Sequence, residues 1–176
     1  MATGYINLFP GGVATDGSGT INNAAALSYE VSAAAQTTNT PKATQMKLLF
    51  DAATDEHWTF SFMIPGDYSS NGTLRGKVKF TSATTGNAIM KGGQVSSVDS
   101  STDDDALVFV AGDVSSAVAA PGTQGQTIGF TITLTSTNMS ANRKIVVFIG
   151  RDADNASDTA TGDLELLALN FEYTTA

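Results

Sequence analysis

The chain has 176 residues, which is enough for one well-buried core and few for two. Charged residues make up 15% and hydrophobic residues 41%, and an excess of acidic side chains gives a formal net charge of −8. That charge repels phosphate backbones and anionic lipid surfaces, so we expect neither a nucleic acid nor a membrane as partner. The absence of cysteine excludes a disulfide framework and a cysteine-ligated metal. No membrane span or signal peptide is indicated by the hydropathy pattern.

Residues 1–45 are predicted to form an extended N-terminal arm that includes a first edge strand. Turn-forming Gly, Asp and Ser residues cluster behind Pro10, and residues 22–44 consist mainly of Ala, Thr, Asn and Gln. One strand-like piece stands out at residues 27–31, where Leu, Tyr and Val alternate with polar residues. A segment with so few apolar side chains is expected to order best by docking on a neighbour.

The arm carries one sizeable apolar group, and we predict that it binds a partner. Its members are Tyr5, Ile6, Leu8 and Phe9. An exposed apolar cluster of this kind marks a docking site on many proteins. The alternative is that the same residues form an additional strand of the adjoining domain.

Residues 46–176 are predicted to form an antiparallel β-sandwich of about eight strands, jelly-roll-like in architecture. Short apolar segments separated by Gly-, Pro-, Asn- and Ser-rich turns favour a sandwich, and no amphipathic helix is available for βαβ units. The chain is therefore assigned to the all-β class. The candidate strands are residues 46–50, 57–64, 73–81, 88–98, 106–111, 127–135, 144–151 and 164–173.

Period-two alternation predicts which face of several strands is buried. In residues 58–64 and 128–134, every second residue is aromatic or aliphatic, so these residues are assigned to the core. Residues 145–149 are continuously apolar, which predicts a central strand covered on both faces. In the last strand the predicted core side consists of Leu167, Leu169, Phe171 and Tyr173.

The sequence offers little for catalysis, and we expect a protein that is not an enzyme. The single histidine, His57, lies beside Trp58 on the strand face opposite the aromatic row, where a surface histidine is the simpler interpretation. Glu165 and Glu172 are seven residues apart on one strand, so they do not face each other across a cleft as glycosidase carboxylates do.

The loop after residue 151 is rich in acidic residues and is the candidate metal site. Asp152, Asp154, Asn155 and Asp158 place oxygen ligands close together, as Ca²⁺ requires. The glycine and closing glutamate of a calcium-binding loop are missing at the expected offsets. The alternative, which we favour, is that these side chains cap backbone groups in a solvated turn and that the protein needs no cofactor.

Residues 51–68, residues 74–80 and the loop 151–163 before the last strand together resemble small β-sandwich proteins encoded by tailed phages. The resemblance covers roughly residues 46–175. It implies a virion structural protein of the capsid decoration (cement) type, located on the capsid surface and bound to the major capsid protein as a homotrimer. In such proteins an N-terminal arm reaches neighbouring subunits, and binding to the assembled shell stabilises it.

A second function is compatible with the same fold. A glycan-binding β-sandwich, either a tail adhesin or a carbohydrate-binding module, displays aromatic side chains in a shallow groove and in some cases binds calcium. The aromatic residues of this sequence are spread over all predicted strands, which is more typical of a core than of a platform. The exposure of Trp58 and Tyr68 is therefore the feature to inspect.

Overall fold

The computed structural model describes residues 1–9, 25–31, 42–109 and 112–176. No helix in these ranges combines the length and apolar character that crossing a membrane requires. The strands are β1 (Thr3–Asn7), β2 (Ala26–Val31), β3 (Thr44–Phe50), β4 (Glu56–Met63), β5 (Tyr68–Phe80), β6 (Asn87–Ala88), β7 (Met90–Ser96), β8 (Asp113–Val114), β9 (Val118–Ala119), β10 (Thr127–Thr133), β11 (Lys144–Arg151) and β12 (Leu164–Thr175), with a 3-10 helix at Asp104–Ala106.

Ten of the strands form two antiparallel sheets that face each other, and β6 and β9 form a separate two-stranded sheet. The larger sheet has the order β10-β5-β12-β3-β2, with β1 beside the second half of β12, and the smaller sheet has the order β4-β11-β7-β8. From β3 to β5 and again from β10 to β12, the chain passes back and forth between the sheets, as in a jelly roll. The predicted all-β fold, an antiparallel sandwich of jelly-roll type, is confirmed.

The core lies between the two sheets and is built from the alternating residues that the sequence indicated. Trp58 and Phe60 of β4 are buried, as are Phe130 and Ile132 of β10. Trp58 and Tyr68, the two aromatic residues to inspect for a platform, are both buried members of this core. Residues 145–149 form the predicted central strand, between β4 and β7, although Val146 and Phe148 on its outer side are only half-buried.

The N-terminal segment joins the sandwich wherever the structure describes it, and its strand β2 lies at residues 26–31, where a first edge strand was predicted. Strand β1 pairs with β12 over Thr3–Asn7, and β2 pairs with β3, so hydrogen bonds cross the predicted boundary between residues 45 and 46. Ile6 packs against the core and Leu8 is buried in it. The alternative left open by the sequence, an additional strand of the same sandwich, therefore describes residues 3–7. Residues 10–24 and 32–41 lie outside the described part.

Two predicted strands differ from the structure. Residues 106–109 form no strand: a 3-10 helix ends at Ala106, and Asp103 caps it by accepting a hydrogen bond from the Asp105 amide at 3.1 Å. This capping chemistry competes with strand pairing, and residues 110 and 111 lie outside the described range. The predicted strand 88–98 is divided at Ile89, because β6 pairs with β9 whereas β7 pairs with β11.

The last strand changes its buried side at a β-bulge. Its pairing with β5 shifts between Leu166 and Ala168. Before the bulge Leu164 and Leu166 face the core, and after it Leu169 and Phe171 do, which leaves Leu167 half-buried. The prediction for residues 169–173 is correct, and that for Leu167 is wrong because the bulge inserts one residue that has no partner.

Candidate functional site

The outer surface of the smaller sheet combines aromatic, hydroxyl and charged side chains, and we call it the Phe148 face. Residues that pair directly in antiparallel strands point to the same side of a sheet. Phe148 is paired with Thr59 on one side and Gly93 on the other, opposite the core side of Ile149. The face is formed by His57, Thr59 and Ser61 of β4, Val146 and Phe148 of β11, and Lys91 and Val95 of β7.

An aromatic cluster occupies the centre of this face. The ring of Phe109 meets that of Phe148 edge-on, with centroids 5.0 Å apart, and His57 approaches Phe148 from the other direction at 6.4 Å. All three rings are half-buried. Two glycines leave room for the Phe148 ring. A Cβ on Gly93 would lie 2.5 Å from this ring, and a Cβ on Gly112 would lie 2.7 Å from it. The backbone of β7 and the residue before β8 is thus fitted to one phenyl ring.

A cavity of about 320 Å³ opens beside the Phe148 face, along residues 93–96 of β7, which lie beyond the pairing with β8. This volume is at the small end of the range for ligand sites in proteins. Its walls combine two valines with hydroxyl, amide and carboxylate groups. The lining residues are Gly93, Gln94, Val95, Ser96, Val108, Asp113, Thr135, Thr137 and Asn138.

Hydrogen bonds fix the polar wall of the cavity. The Gln94 amide Nε2 donates to the carbonyl oxygens of Thr135 and Thr137 at 3.0 and 2.8 Å. The Asp113 carboxylate accepts from the Thr135 amide at 2.7 Å and from its hydroxyl at 3.0 Å. The loop after β10 is therefore held in place by side chains from β7 and β8, while Thr137 and Asn138 are exposed to solvent.

A charged cluster lies at the end of the face near Gly150. Lys91 Nζ is 2.8 Å from Asp152 Oδ1 and 3.9 Å from Asp55 Oδ2. Burial acts to raise the pKa of Asp152, but hydrogen bonds from Lys91 and Asn155 outweigh it and lower the pKa below its ordinary value. The hydrogen bond to Asp152 in turn raises the pKa of Lys91. Asp152 and Lys91 are therefore held as an ion pair at neutral pH.

The four predicted calcium ligands are not brought together by the structure. Asp158 is bound by Arg151 through both carboxylate oxygens, and Asn155 Nδ2 donates to Asp152 Oδ2 at 2.7 Å. Asp152 and Asp154 instead come close to Asp55, which accepts hydrogen bonds from the amides of residues 153 and 154. The side chains of Asp152 and Asp158 are thus buried in ion pairs with Lys91 and Arg151, which differs from the solvated turn of the alternative.

The four predicted partner-binding residues of the arm are divided between the core and the surface. Ile6, Leu8 and Phe9 pack into or against the core. Tyr5 is 60% exposed on the outer face of the larger sheet, where it is paired with Glu172. The Glu172 carboxylate accepts a hydrogen bond from Arg75 Nε at 2.6 Å. Of the four, Tyr5 presents the largest surface to a partner.

Sequence reasoning did not find the Phe148 face or the cavity. Phe148 lies in the continuously apolar run 145–149, so its outward position gives no contrast in hydropathy. Strand alternation nevertheless places it on the opposite side of the sheet from Val147 and Ile149. Phe109 was assigned to a strand that does not form. The pairing of Gln94 and Asp113 with the loop after β10 depends on tertiary contacts and leaves no signal in the sequence.

No protein-family model and no curated protein matches the sequence. Among solved structures, the chain is similar to a family 11 carbohydrate-binding module from Clostridium thermocellum in complex with a β-1,3-1,4-mixed-linked tetrasaccharide, with 11% identity, a TM-score of 0.42 and coverage of 96% of this chain and 94% of that one. It is also similar to a carbohydrate-binding module, CBM27-1, from Caldicellulosiruptor saccharolyticus in complex with mannohexaose, with 11% identity, a TM-score of 0.42 and full coverage of both chains (100% of each).

A third similar structure is the enzymatically active domain of a tailspike protein of bacteriophage CBA120, with 12% identity and a TM-score of 0.38. The match covers 97% of this chain and 19% of that one. At such identities and TM-scores the function of this chain has to be inferred from its own side chains.

Proposed function

We propose that this chain is a glycan-binding β-sandwich that holds a neutral oligosaccharide on the Phe148 face and in the adjoining cavity. The observation that carries the proposal is the half-exposed pair Phe109 and Phe148 beside a cavity walled by hydroxyl and amide groups.

A sugar ring needs two kinds of contact, and this surface supplies both. Its axial C–H groups form an apolar patch that packs on an aromatic ring, as on Phe109 or Phe148. Its hydroxyls both donate and accept hydrogen bonds, as the exposed Thr137 hydroxyl and Asn138 amide also do. A small number of oriented polar groups on an otherwise apolar surface is the usual composition of a small-molecule site.

The charge distribution favours an uncharged glycan over an acidic one. The chain carries a net charge of −8, and Asp55 and Asp154 lie at the end of the Phe148 face. Lys91 and Lys144, two ammonium groups on this face, are already paired with Asp152 and Asp104. A sugar carboxylate or sulfate at this surface is repelled by Asp55 and Asp154, and the two lysine ammonium groups are not free to compensate the repulsion.

The test compares glycan binding by the intact chain with glycan binding by two alanine variants, Phe109→Ala and Tyr5→Ala. We expect a neutral oligosaccharide to be retained on a glycan array and to titrate by calorimetry, with Phe109→Ala weakening the affinity at least about tenfold. Tyr5→Ala removes an aromatic ring of comparable size from the larger sheet and should leave the affinity unchanged.

Two outcomes contradict the proposal. One is an array on which no neutral glycan binds the folded wild-type chain. The other is a bound glycan whose affinity is the same for Phe109→Ala and Tyr5→Ala, because the ligand then lies elsewhere.

Capsid decoration is the second candidate function, and the exposure of Tyr5 favours it. In this proposal a homotrimer on the capsid surface contacts the major capsid protein through Tyr5 and the surrounding outer face of the larger sheet. Co-sedimentation of the purified chain with phage capsids tests it. Tyr5→Ala should release the chain from the shells, whereas Phe109→Ala should not.

A further inference from the structure

Strand β2 carries an apolar strip that the sandwich does not cover. Leu27 pairs directly with Leu48, a fully buried core residue, and Tyr29 pairs with Met46. Leu27, Tyr29 and Met46 therefore lie on the core side of the larger sheet, and so does Val31. Yet Leu27 is 47%, Tyr29 70% and Val31 45% exposed.

The other edge of β2 has no partner strand in the described part of the chain. In the sheet order β2 stands at the end, next to β3, and within the described ranges no other strand pairs with it. An edge strand with unpaired backbone groups and an apolar face is a template for pairing with another strand. Natural edge strands are commonly protected by charged side chains, a proline or a bulge. Residues 26–31 contain neither lysine nor proline, and their one charged residue, Glu30, lies on the polar side of the sheet.

We propose that a second copy of this chain pairs with this edge, β2 against β2 in antiparallel orientation, about a two-fold axis at Tyr29. In this register Tyr29 lies opposite Tyr29 of the second copy, and Leu27 lies opposite its Val31. All three apolar side chains of one copy then meet apolar partners on the same face. Five residues of each strand pair, which is an ordinary strand length.

Neighbouring registers that preserve the faces are poorer. An axis at Glu30 places the two Glu30 carboxylates directly opposite each other, which destabilises a strand pair. An axis at Ser28 places Val31 opposite Ala25, which is buried in its own subunit, so Val31 loses its apolar partner. The axis at Tyr29 instead sets Glu30 opposite Ser28, where a hydroxyl meets a carboxylate.

Charge also has a part in the proposed dimer. On the polar side of the sheet, Glu30 forms an ion pair with Lys79, so it does not bring an uncompensated carboxylate to the edge. Each copy nevertheless has a net charge of −8, and the two copies repel each other at long range. Since salt screens this repulsion and leaves apolar contacts intact, the dimer should become tighter as sodium chloride is raised.

Single cysteines test the register, because the natural chain has none. A residue on the axis faces its own copy at a Cα separation of about 4.5–5.5 Å, which suits a disulfide. Under mild oxidation we expect Tyr29→Cys to give a covalent dimer. Leu27→Cys, on the same strand and face, is the matched control: it lies about 13 Å from its copy in this register and should stay monomeric on a denaturing gel. Equal cross-linking of the two variants overturns the proposal.

Light scattering of the wild-type chain tests the dimer itself. We expect a mass twice the 18.1 kDa of one chain. Tyr29→Lys should weaken association at least about tenfold by setting two ammonium groups opposite each other. Tyr29→Thr, which keeps a strand-favouring residue, should do the same to a smaller degree. Tyr5→Lys, on another strand, should not. A monomer or a trimer of the folded wild-type chain, shown by circular dichroism to retain its strands, overturns the proposal.

Discussion

Arg151 and Asp158 form an ion pair that is completely enclosed by the protein. Arg151 Nε donates to Asp158 Oδ2 at 2.9 Å and a terminal nitrogen donates to Oδ1 at 2.7 Å, while the two side chains are 0% and 1% exposed. The guanidinium also donates to the carbonyl oxygens of Ala160 and Gly162. One side chain at the end of β11 thus fixes the whole acidic loop that leads to β12.

Removing one partner of this pair should destabilise the fold strongly. Arg151→Met leaves the Asp158 carboxylate buried with the Ile89 amide as its remaining donor among the described residues. We expect a loss of about 3–5 kcal/mol in the free energy of unfolding. Urea denaturation measures it. Arg151→Met combined with Asp158→Leu should lose less than the sum of the two single variants. Additive losses would show that the two residues do not act as a pair.

Acid should destabilise the protein through Glu165. Burial acts to raise the pKa of this carboxyl, but hydrogen bonds from Lys47 and Lys79 outweigh it and hold the pKa below its ordinary value. The folded state therefore binds fewer protons than the unfolded state. The resulting stability is fully present above the ordinary glutamate pKa and is lost as the pH falls through the lowered folded value.

The measurement is the free energy of unfolding between pH 7 and pH 3. Glu165→Gln should be less stable than wild type at pH 7 and should lose less stability on acidification. If the two pH profiles are parallel, Glu165 is not the source of the acid sensitivity.

Calcium should have no effect on the wild-type protein. Lys91 occupies the space among Asp55 and Asp152 that a cation needs, and Arg151 holds Asp158. We expect the same melting temperature in millimolar calcium and in EDTA. Lys91→Ala removes the competing ammonium group and serves as the comparison: any calcium-dependent increase should appear there first. A wild-type melting temperature that falls in EDTA would support the calcium site indicated by the sequence.

Filling the space at Gly93 should displace the Phe148 ring. A Cβ there lies 2.5 Å from the ring, closer than real contacts allow, so Gly93→Ala should destabilise the fold by about 1–3 kcal/mol. If the proposed glycan binds on the Phe148 face, Gly93→Ala should also weaken it. Gly122→Ala, at a site with no neighbouring atom within 4 Å, is the matched control and should change neither property. Equal stability of both variants would mean that the ring moves aside freely.

The periodicity of the sequence predicted the core strands well, because alternation is imposed by the strand backbone itself. It predicted the burial of Trp58, Phe60, Ile64, Phe130, Ile132 and Leu134 and the class of fold. It failed at the bulge after Leu166, since one inserted residue reverses the phase without any change in composition. It also failed at residues 106–109, where Asp103 caps a helical turn in an apolar-looking segment.

The candidate site was much less predictable than the fold. His57 was correctly assigned to the outer side of its strand, but its proximity to Phe148 follows from the pairing of β4 with β11. The loop cavity requires β7, β8 and the end of β10 to meet, and strand order cannot be read from periodicity. The carboxylates of the acidic loop were visible in the sequence, whereas the arginine and lysine that neutralise two of them were identified only in three dimensions.

The pairing of β1 with β12 has a consequence for how the chain is made. Thr3 finds its partner Thr174 only after another 171 residues have been synthesised, which takes roughly 9–34 seconds at about 5–20 residues per second. Throughout that time the first strand has no sheet to join, and Ile6 and Leu8 stay in water or on a chaperone. Closure of the larger sheet is therefore a late event, which waits until the strand β12 has been synthesised.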